Sequence, residues 1–370
     1  MFSLKQYDFK KYNYALLFVV LVLCSIGAFM IYLVQPGDFK KQLMGITVGL
    51  FVAIVVSLID YHFIAKFFIL MYVGNIGLLL VTKFFGPVIE NTRRWIKIGP
   101  LQFQTSELSK VILIIFLAKF FELAKDKINQ WWMIMLSILL TAIPTYLILK
   151  QPDLSSSMVS MFIFVVMIFT AGLSYRIIFP ICAVGVPTAV GLFWYVQQPF
   201  QKLLTDYQQN RILSILNPNL HGDLMYQQNN SIAAISAGGL YGKLLNPDAS
   251  SFRAYESVPV RESDFIFSVI GEEFGFIGCC IFFGLFAILI FKSLNVARNA
   301  SDRLGMLIAT GVSAMIMFQV FVNIGVATSI LPNTGLPLPF ISSGLSSLVG
   351  SMIGIGLLLN ICICRKKVRG

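Results

Sequence analysis

The residues best placed to do chemistry in this chain are carboxylates at the edges of apolar runs. Asp264 closes a polar stretch, and an apolar run of membrane-spanning length begins at Phe265. Glu272 and Glu273 lie within that run, about 12 Å past its start at ~1.5 Å rise per helical residue. Acids at such depth cost about 2.5 kcal/mol or more each to insert, which disfavours chance placement. A carboxylate at a membrane–water boundary, with acids buried behind it, points to general-base chemistry at the surface of a bilayer.

Four other clusters carry polar groups beside apolar runs. Arg93, Arg94, Trp95 and Lys97 form the first, with Glu107 and Lys110 following it. Arginine forks match phosphate oxygens, and a neighbouring tryptophan belongs at a membrane interface. The cluster reads either as a site for a phosphorylated substrate or as an interfacial anchor. Thr105 or Ser106 is positioned to cap the next helix, with Glu107 in its first turn. Lys110 then points into the bundle or back to Glu107.

In the second cluster Asp153 follows Pro152 at a span boundary, where it can bind substrate or act as an ordinary N-cap. The third gathers Gln227, Ser231, Gly238, Gly239 and Lys243, with Arg211 upstream. The fourth is the proline-rich turn from Pro332 to Gly344, whose Ser342 and Ser343 can bind polar groups or cap the last helix. Other chemistries lack residues to run them. The chain has no Ser/His/Asp arrangement, Walker loop, Rossmann glycine pattern or HExxH motif, and His62 and His221 are isolated. Its six cysteines, Cys24, Cys182, Cys279, Cys280, Cys362 and Cys364, show no disulfide or metal-ligand spacing.

The elements that must hold these residues are helices in a bilayer. Of the 370 residues, 57% are hydrophobic and 12% charged, a balance that excludes a soluble globular domain. Apolar runs recur at Tyr14–Val34, Gln42–Ile59, Phe67–Val81, Leu108–Leu123, Trp131–Leu149, Ser156–Leu173, Ile177–Val196, Phe265–Phe291, Leu304–Ile330 and Leu345–Ile363. The prediction is an all-α polytopic membrane protein of about ten transmembrane helices, forming a single domain over residues 1–370. Pro144, Pro180 and Pro187 are candidate kinks. A long extracellular loop, residues 197–263, separates helices 7 and 8, and Leu203–Leu216 and Ser231–Leu240 within it can form short amphipathic helices.

The net charge of +11 comes from short basic clusters between apolar runs, so anionic lipid, not nucleic acid, is the expected partner. Basic residues at 125, 127, 292, 298, 303, 365–367 and 369 place both termini in the cytoplasm. Arg93, Arg94 and Lys97 then fall outside, against that preference.

Taken in this order, the motifs resemble the SEDS family of bacterial membrane proteins, which takes in RodA, FtsW and SpoVE. The resemblance covers essentially the whole chain. It is carried by Arg94-Trp95-Ile96, by Ser106-Glu107-Leu108 with Lys110, and by Gln151-Pro152-Asp153-Leu154. It continues through Tyr226-Gln227 with Ser231 and Gly238-Gly239, then Asp264-Phe265-Ile266-Phe267, Glu272-Glu273 with Gly275, and the turn from Pro332 to Phe340. Departures from the family pattern are Thr105 for proline, Ser155-Ser156 for Gly-Thr, Arg261-Glu262-Ser263 before Asp264, Leu244 for a glycine, and Ser343 and Leu345 for tyrosine and glycine. The charged residues stay intact.

The resemblance implies a peptidoglycan glycosyltransferase that polymerises lipid II at the outer face of the bacterial cytoplasmic membrane. A class B penicillin-binding transpeptidase is the implied partner. It maps the essential aspartate onto Asp264 and the implicated tryptophan onto Trp95. Arg94, helped by Lys97, Arg93 or Arg211, is expected to bind the pyrophosphate, and Lys243, Asp153 and Ser342 are further substrate-binding candidates. A divalent cation, Mg or Mn, held by Asp264 or another carboxylate is left open, with no metal ligand set assigned. Glu272 and Glu273 are expected to hold the eighth helix in place, pairing with Lys110 or another bundle cation. The short N-terminal tail favours the RodA branch, for elongation, over the division or sporulation branches. A lipid II flippase is the alternative activity, and a scaffold for the transpeptidase a third.

Overall fold

The computed structural model describes residues 12–89, 92–98, 101–203, 209–210, 213, 222–246 and 252–364. Ten long helices stand among them, one for each apolar run. In chain order the elements are α1 (Tyr14–Val34), α2 (Phe39–Ser57), the short α3 (Tyr61–Lys66), α4 (Phe68–Phe85), strands β1 (Trp95–Ile98) and β2 (Leu101–Gln104), and α5 (Thr105–Leu123). Then follow α6 (Trp131–Leu149), α7 (Leu154–Thr170), α8 (Tyr175–Val196), α9 (Gly222–Ala237), α10 (Ile266–Arg298), α11 (Arg303–Ala327) and α12 (Leu345–Ile363). Among the described residues eight helices are long and apolar enough to cross a membrane. Of the other two long ones, α7 has 17 residues, and α5 carries Glu107, Lys110, Lys119 and Glu122.

The chain divides into two compact units, residues 1–172, 282–320 and 336–370 in one and 173–281 with 321–335 in the other. In the first, α2 and α12 lie against each other through small residues. Gly45, Gly49 and Ala53 form a small-xxx-small stripe along α2. A Cβ on Gly49 would meet Leu348 at 2.6 Å and Met352 at 2.9 Å, and one on Gly356 would lie 2.7 Å from the Ala53 carbonyl oxygen. Only bare backbone allows that approach.

Pro144 lies inside α6, where it lacks the N–H that would bond the carbonyl of Leu140. The Tyr72 hydroxyl of α4 donates to that carbonyl at 2.6 Å and satisfies it. Further bonds tie α4 to its neighbours, from Asn75 to the Ser109 hydroxyl of α5 at 2.9 Å and from Gln151, in the turn between α6 and α7, to the Leu79 carbonyl at 2.8 Å. With lipid around a bundle, such bonds and close packing replace the hydrophobic effect as the source of helix association.

At one end of this unit a polar knot ties distant turns together. Asn360 donates to the Ser57 carbonyl at 2.7 Å and accepts the Tyr61 N–H at 2.9 Å. His62 stands between Asp60, 2.8 Å from Nδ1, and Asp302, 2.5 Å from Nε2. Asp302 also accepts the Tyr61 hydroxyl at 2.8 Å and the Gly305 N–H at 2.8 Å. Burial opposes charge on His62, but the hydrogen bonds and charges of Asp302 and Asp60 outweigh it and raise the imidazole to about 9. Because the folded value lies above the ordinary 6.5, this stabilisation is complete below that pH and lost as pH climbs through about 9. The melting temperature in detergent is expected to fall more steeply over that window in the wild type than in His62→Gln. Equal slopes would remove the imidazolium from the account.

In the second unit α9 lies against the end of α11. Ser231 donates to the Ala327 carbonyl at 2.7 Å, and Gln228 to the carbonyls of Val326 at 3.0 Å and Leu331 at 2.8 Å. The helix expected over Ser231–Leu240 thus starts earlier, at Gly222, and stops at Ala237; most of Leu203–Leu216 lies outside the described residues. The sharp break in a long helix falls at Gly275 in α10, with φ +65°, while the helical spans of α6 and α8 run on through their prolines.

Candidate active site

Asp264 lies two residues ahead of α10 and is half-buried. Its own backbone is held twice: its N–H donates to the Val260 carbonyl at 3.2 Å, and its carbonyl accepts from Asn323 of α11 at 2.9 Å. Val260 sits at φ +55°, a conformation a β-branched residue enters only when its surroundings hold it there. The Ser263 hydroxyl donates to Asp264 Oδ1 at 3.0 Å. On the other side Gly335, at φ +68°, brings bare backbone to the carboxylate, and a Cβ there would stand 3.1 Å from Oδ2. Asn333, two residues earlier, donates to Gln227 at 2.5 Å. A carboxylate fixed at its backbone and oriented by a hydroxyl suits a general base.

Arg93, Arg94, Trp95 and Lys97 belong to the other unit, on or beside a β-hairpin between α4 and α5. Strands β1 and β2 form an antiparallel hairpin with Trp95 opposite Gln104 and Lys97 opposite Gln102. The signal was present, since Trp95-Ile-Lys-Ile and Leu101-Gln-Phe-Gln alternate around Gly99-Pro100. Alternation puts Trp95 and Lys97 on one side of the hairpin. Ser346 at the start of α12 anchors it, accepting the Gln104 N–H at 2.8 Å. Arg94 is half-buried, with Nε on the Thr92 hydroxyl at 2.9 Å, while Arg93 is exposed and holds the Phe84 carbonyl at 2.7 Å.

Below the hairpin, α5 is buried along most of its length. Its N-cap is Gln104, not Thr105 or Ser106, because Ser106 turns its hydroxyl to Asp153 at 2.8 Å. Lys110 reaches back to Glu107 at 2.8 Å, with both side chains buried. Asp153 caps α7, accepting the Ser156 N–H at 3.1 Å, and also accepts from Gln104 at 2.9 Å. Buried as it is, at 2% exposure, this carboxylate is a hub joining the hairpin, α5 and α7. Asp153→Ala loses a cap worth about 1 kcal/mol, and leaving the Ser106 hydroxyl without its acceptor adds about 1–3 kcal/mol. Melting in detergent should drop for Ala and far less for Asn, which keeps an acceptor; equal losses would contradict the hub.

Several assignments change on contact with the structure. Ser342 does not cap α12, whose N-cap is Gly344; its hydroxyl accepts the Leu338 N–H at 2.8 Å within the proline-rich turn. Glu272 and Glu273 do not pair with Lys110. Glu272 meets Lys243 at 2.5 Å and Glu273 meets Arg253 at 2.6 Å, and both cations come from the connection ahead of α10. Lys243 therefore spends its ammonium on Glu272 and on the Phe252 carbonyl, 2.9 Å away. Arg253, absent from the sequence candidates, has no periodic signal in its irregular segment. Arg211 lies outside the described residues. Burial first, then the charge of Glu273, pushes the neighbouring Tyr255 phenol up to about 12.

Comparison with known proteins extends this picture to the whole chain. The family model for FtsW, RodA and SpoVE, described as "Cell cycle protein", matches residues 11–367. The Treponema pallidum protein named Peptidoglycan glycosyltransferase RodA is 30% identical over 95% of this chain and 97% of its own. The Trichlorobacter lovleyi protein named Probable peptidoglycan glycosyltransferase FtsW is 32% identical over 96% and 94%. A solved structure described as "Structural coordination of polymerization and crosslinking by a peptidoglycan synthase complex" has 30% identity and a TM-score of 0.79, covering 95% of this chain and 97% of that one. With its motifs, its helices and these likenesses in agreement, the chain belongs to the FtsW/RodA/SpoVE family of polytopic helical membrane proteins.

Proposed function

We propose that this protein is a peptidoglycan glycosyltransferase that polymerises lipid II into β-1,4 glycan strands at the outer face of the cytoplasmic membrane, in the service of elongation. The observation that carries the reading is Asp264, a boundary carboxylate held by Ser263, Asn323 and the bare backbone of Gly335. Its proposed role is to accept the proton of the acceptor GlcNAc 4-hydroxyl from hydrogen-bond distance, about 2.6–3.2 Å. The hydroxyl oxygen attacks the donor C1, the bond from C1 to the pyrophosphate oxygen breaks, and undecaprenyl pyrophosphate departs. Attack opposite the leaving group inverts the α-linked donor to a β bond without a protein nucleophile.

Arg94, with Lys97 and Arg93, supplies positive charge for the departing pyrophosphate. Among the described residues no group of three or more His, Cys, Asp or Glu side chains is arranged so that it could hold a metal ion. A divalent cation, Mg or Mn, would thus need pyrophosphate oxygens beside a single carboxylate such as Asp264 to complete its shell. Basic residues in the short connections support both termini lying in the cytoplasm. The likeness to a synthase complex supports a class B penicillin-binding transpeptidase as partner.

Purified protein, with that partner, given labelled lipid II should make glycan chains that resolve by size on a gel. Chains absent from the wild type, or lipid II flipped in vesicles with none made, would overturn the reading.

A further inference from the structure

We infer that Glu272 is a positioning residue for Asp264, closing the segment 254–272 at its base like a staple. The inference rests on the proposed role of Asp264 and explains why two acids are buried so close behind it. Glu272 is fully buried. One carboxylate oxygen accepts the Ala254 N–H at 2.7 Å and the Lys243 ammonium at 2.5 Å. The other accepts the Tyr255 N–H at 2.7 Å. Residues 254 and 255 are therefore fastened to residue 272, and Asp264 lies near the middle of the loop so closed.

The backbone seals the same junction. Gly275 breaks α10, which strips the carbonyls of Glu272 and Glu273 and the N–H groups of Phe276 and Ile277 of helical partners. The preceding turn supplies replacements: Lys243 N–H to the Glu272 carbonyl at 2.9 Å, Leu244 N–H to the Glu273 carbonyl at 3.0 Å, and the Phe276 and Ile277 N–H groups to the carbonyls of Gly239 at 2.9 Å and Leu240 at 3.2 Å. Gly275 and Gly242 face each other here with no room for a Cβ on either. Glu273 adds its pair with Arg253, next to the stapled residues. One arm of the loop is the rigid first turns of α10. The other, residues 254–264, opens with the short 3-10 helix Ala254–Ser257, is irregular beyond it, and carries Val260 at positive φ. Asn323 holds the far end of that arm at Asp264 and the clamp holds its base, and a shift of about 1 Å in a catalytic group costs on the order of 100-fold in rate.

The test uses the full chain with its partner and labelled lipid II. Glu272→Gln keeps the size but removes the charge and one acceptor for the two N–H groups. Its kcat is expected to fall about 10- to 100-fold, with KM within about threefold and the acid limb of the pH–rate profile in place, since the base itself is untouched. Ala254→Pro guards against a folding defect: it deletes one stapling N–H and leaves the Lys243 pair intact. Proline suits the first position of the short helix there, and Arg253 is already extended as a pre-proline residue must be. It should lower kcat several-fold with melting unchanged. Wild-type kcat in both variants, beside an inactive Asp264→Asn, would overturn the staple alone. Activity in Asp264→Asn would instead remove the reading beneath it.

Discussion

Asp264→Asn is expected to cut glycan synthesis from lipid II by about 100- to 10,000-fold, the range that a positioned general base contributes. Asparagine preserves the contacts that set the side chain. Its Oδ1 can still accept the Ser263 hydroxyl, and its backbone keeps Asn323 and Val260. What it loses is the capacity to take a proton, so the fall should appear in kcat with melting and lipid II binding retained. Asp264→Glu probes position instead of basicity. A longer carboxylate must advance by a methylene beside Gly335, whose α-carbon already faces Oδ2, so glutamate should also be impaired. Chains made at the wild-type rate by Asp264→Asn would end the assignment.

The second large effect lies in α5. Lys110 is 0% exposed and Glu107 3%, with 2.8 Å between them. Neither charge has water to fall back on, and Gly350 of α12 crowds the acid, with the site of an added Cβ 3.6 Å from Glu107 Oε2. Removing one member leaves the other charged and buried, a loss of about 3–5 kcal/mol, whereas replacing both with apolar groups of similar volume is close to neutral. Lys110→Met and Glu107→Leu should each melt well below the wild type in detergent, and the double variant Glu107→Leu with Lys110→Met should recover most of the difference. Additive losses would mean the pair is not coupled. The pair explains how a helix with four charged residues sits deep in its unit.

Much of this protein was legible without coordinates. Runs of about 20 apolar residues must become helices in a bilayer, because a backbone in lipid has to satisfy its own hydrogen bonds. All ten runs accordingly appear as helices, and the contact between Lys110 and Glu107 follows from three-residue spacing on one of them. Asp264 was legible for a similar reason, since a charge where a polar segment meets an apolar one stands out. The hairpin at Trp95 was readable from its alternation, and the stripe of Gly45, Gly49 and Ala53 from its spacing, although both patterns are short beside the helical signal.

Tertiary structure decided the partners. Lys243 and Arg253 reach Glu272 and Glu273 only because Gly275 breaks α10 and lets an irregular connection bond to the exposed backbone. His62 looked isolated because Asp302, which it meets, lies far along the chain. Asp153 proved a cap, and also the acceptor for Gln104 and Ser106, which no local pattern announces. Local composition determines where helices form, since each must satisfy its own backbone in lipid. Which buried charge meets which depends on how distant segments pack, and that information lies in no single stretch of sequence.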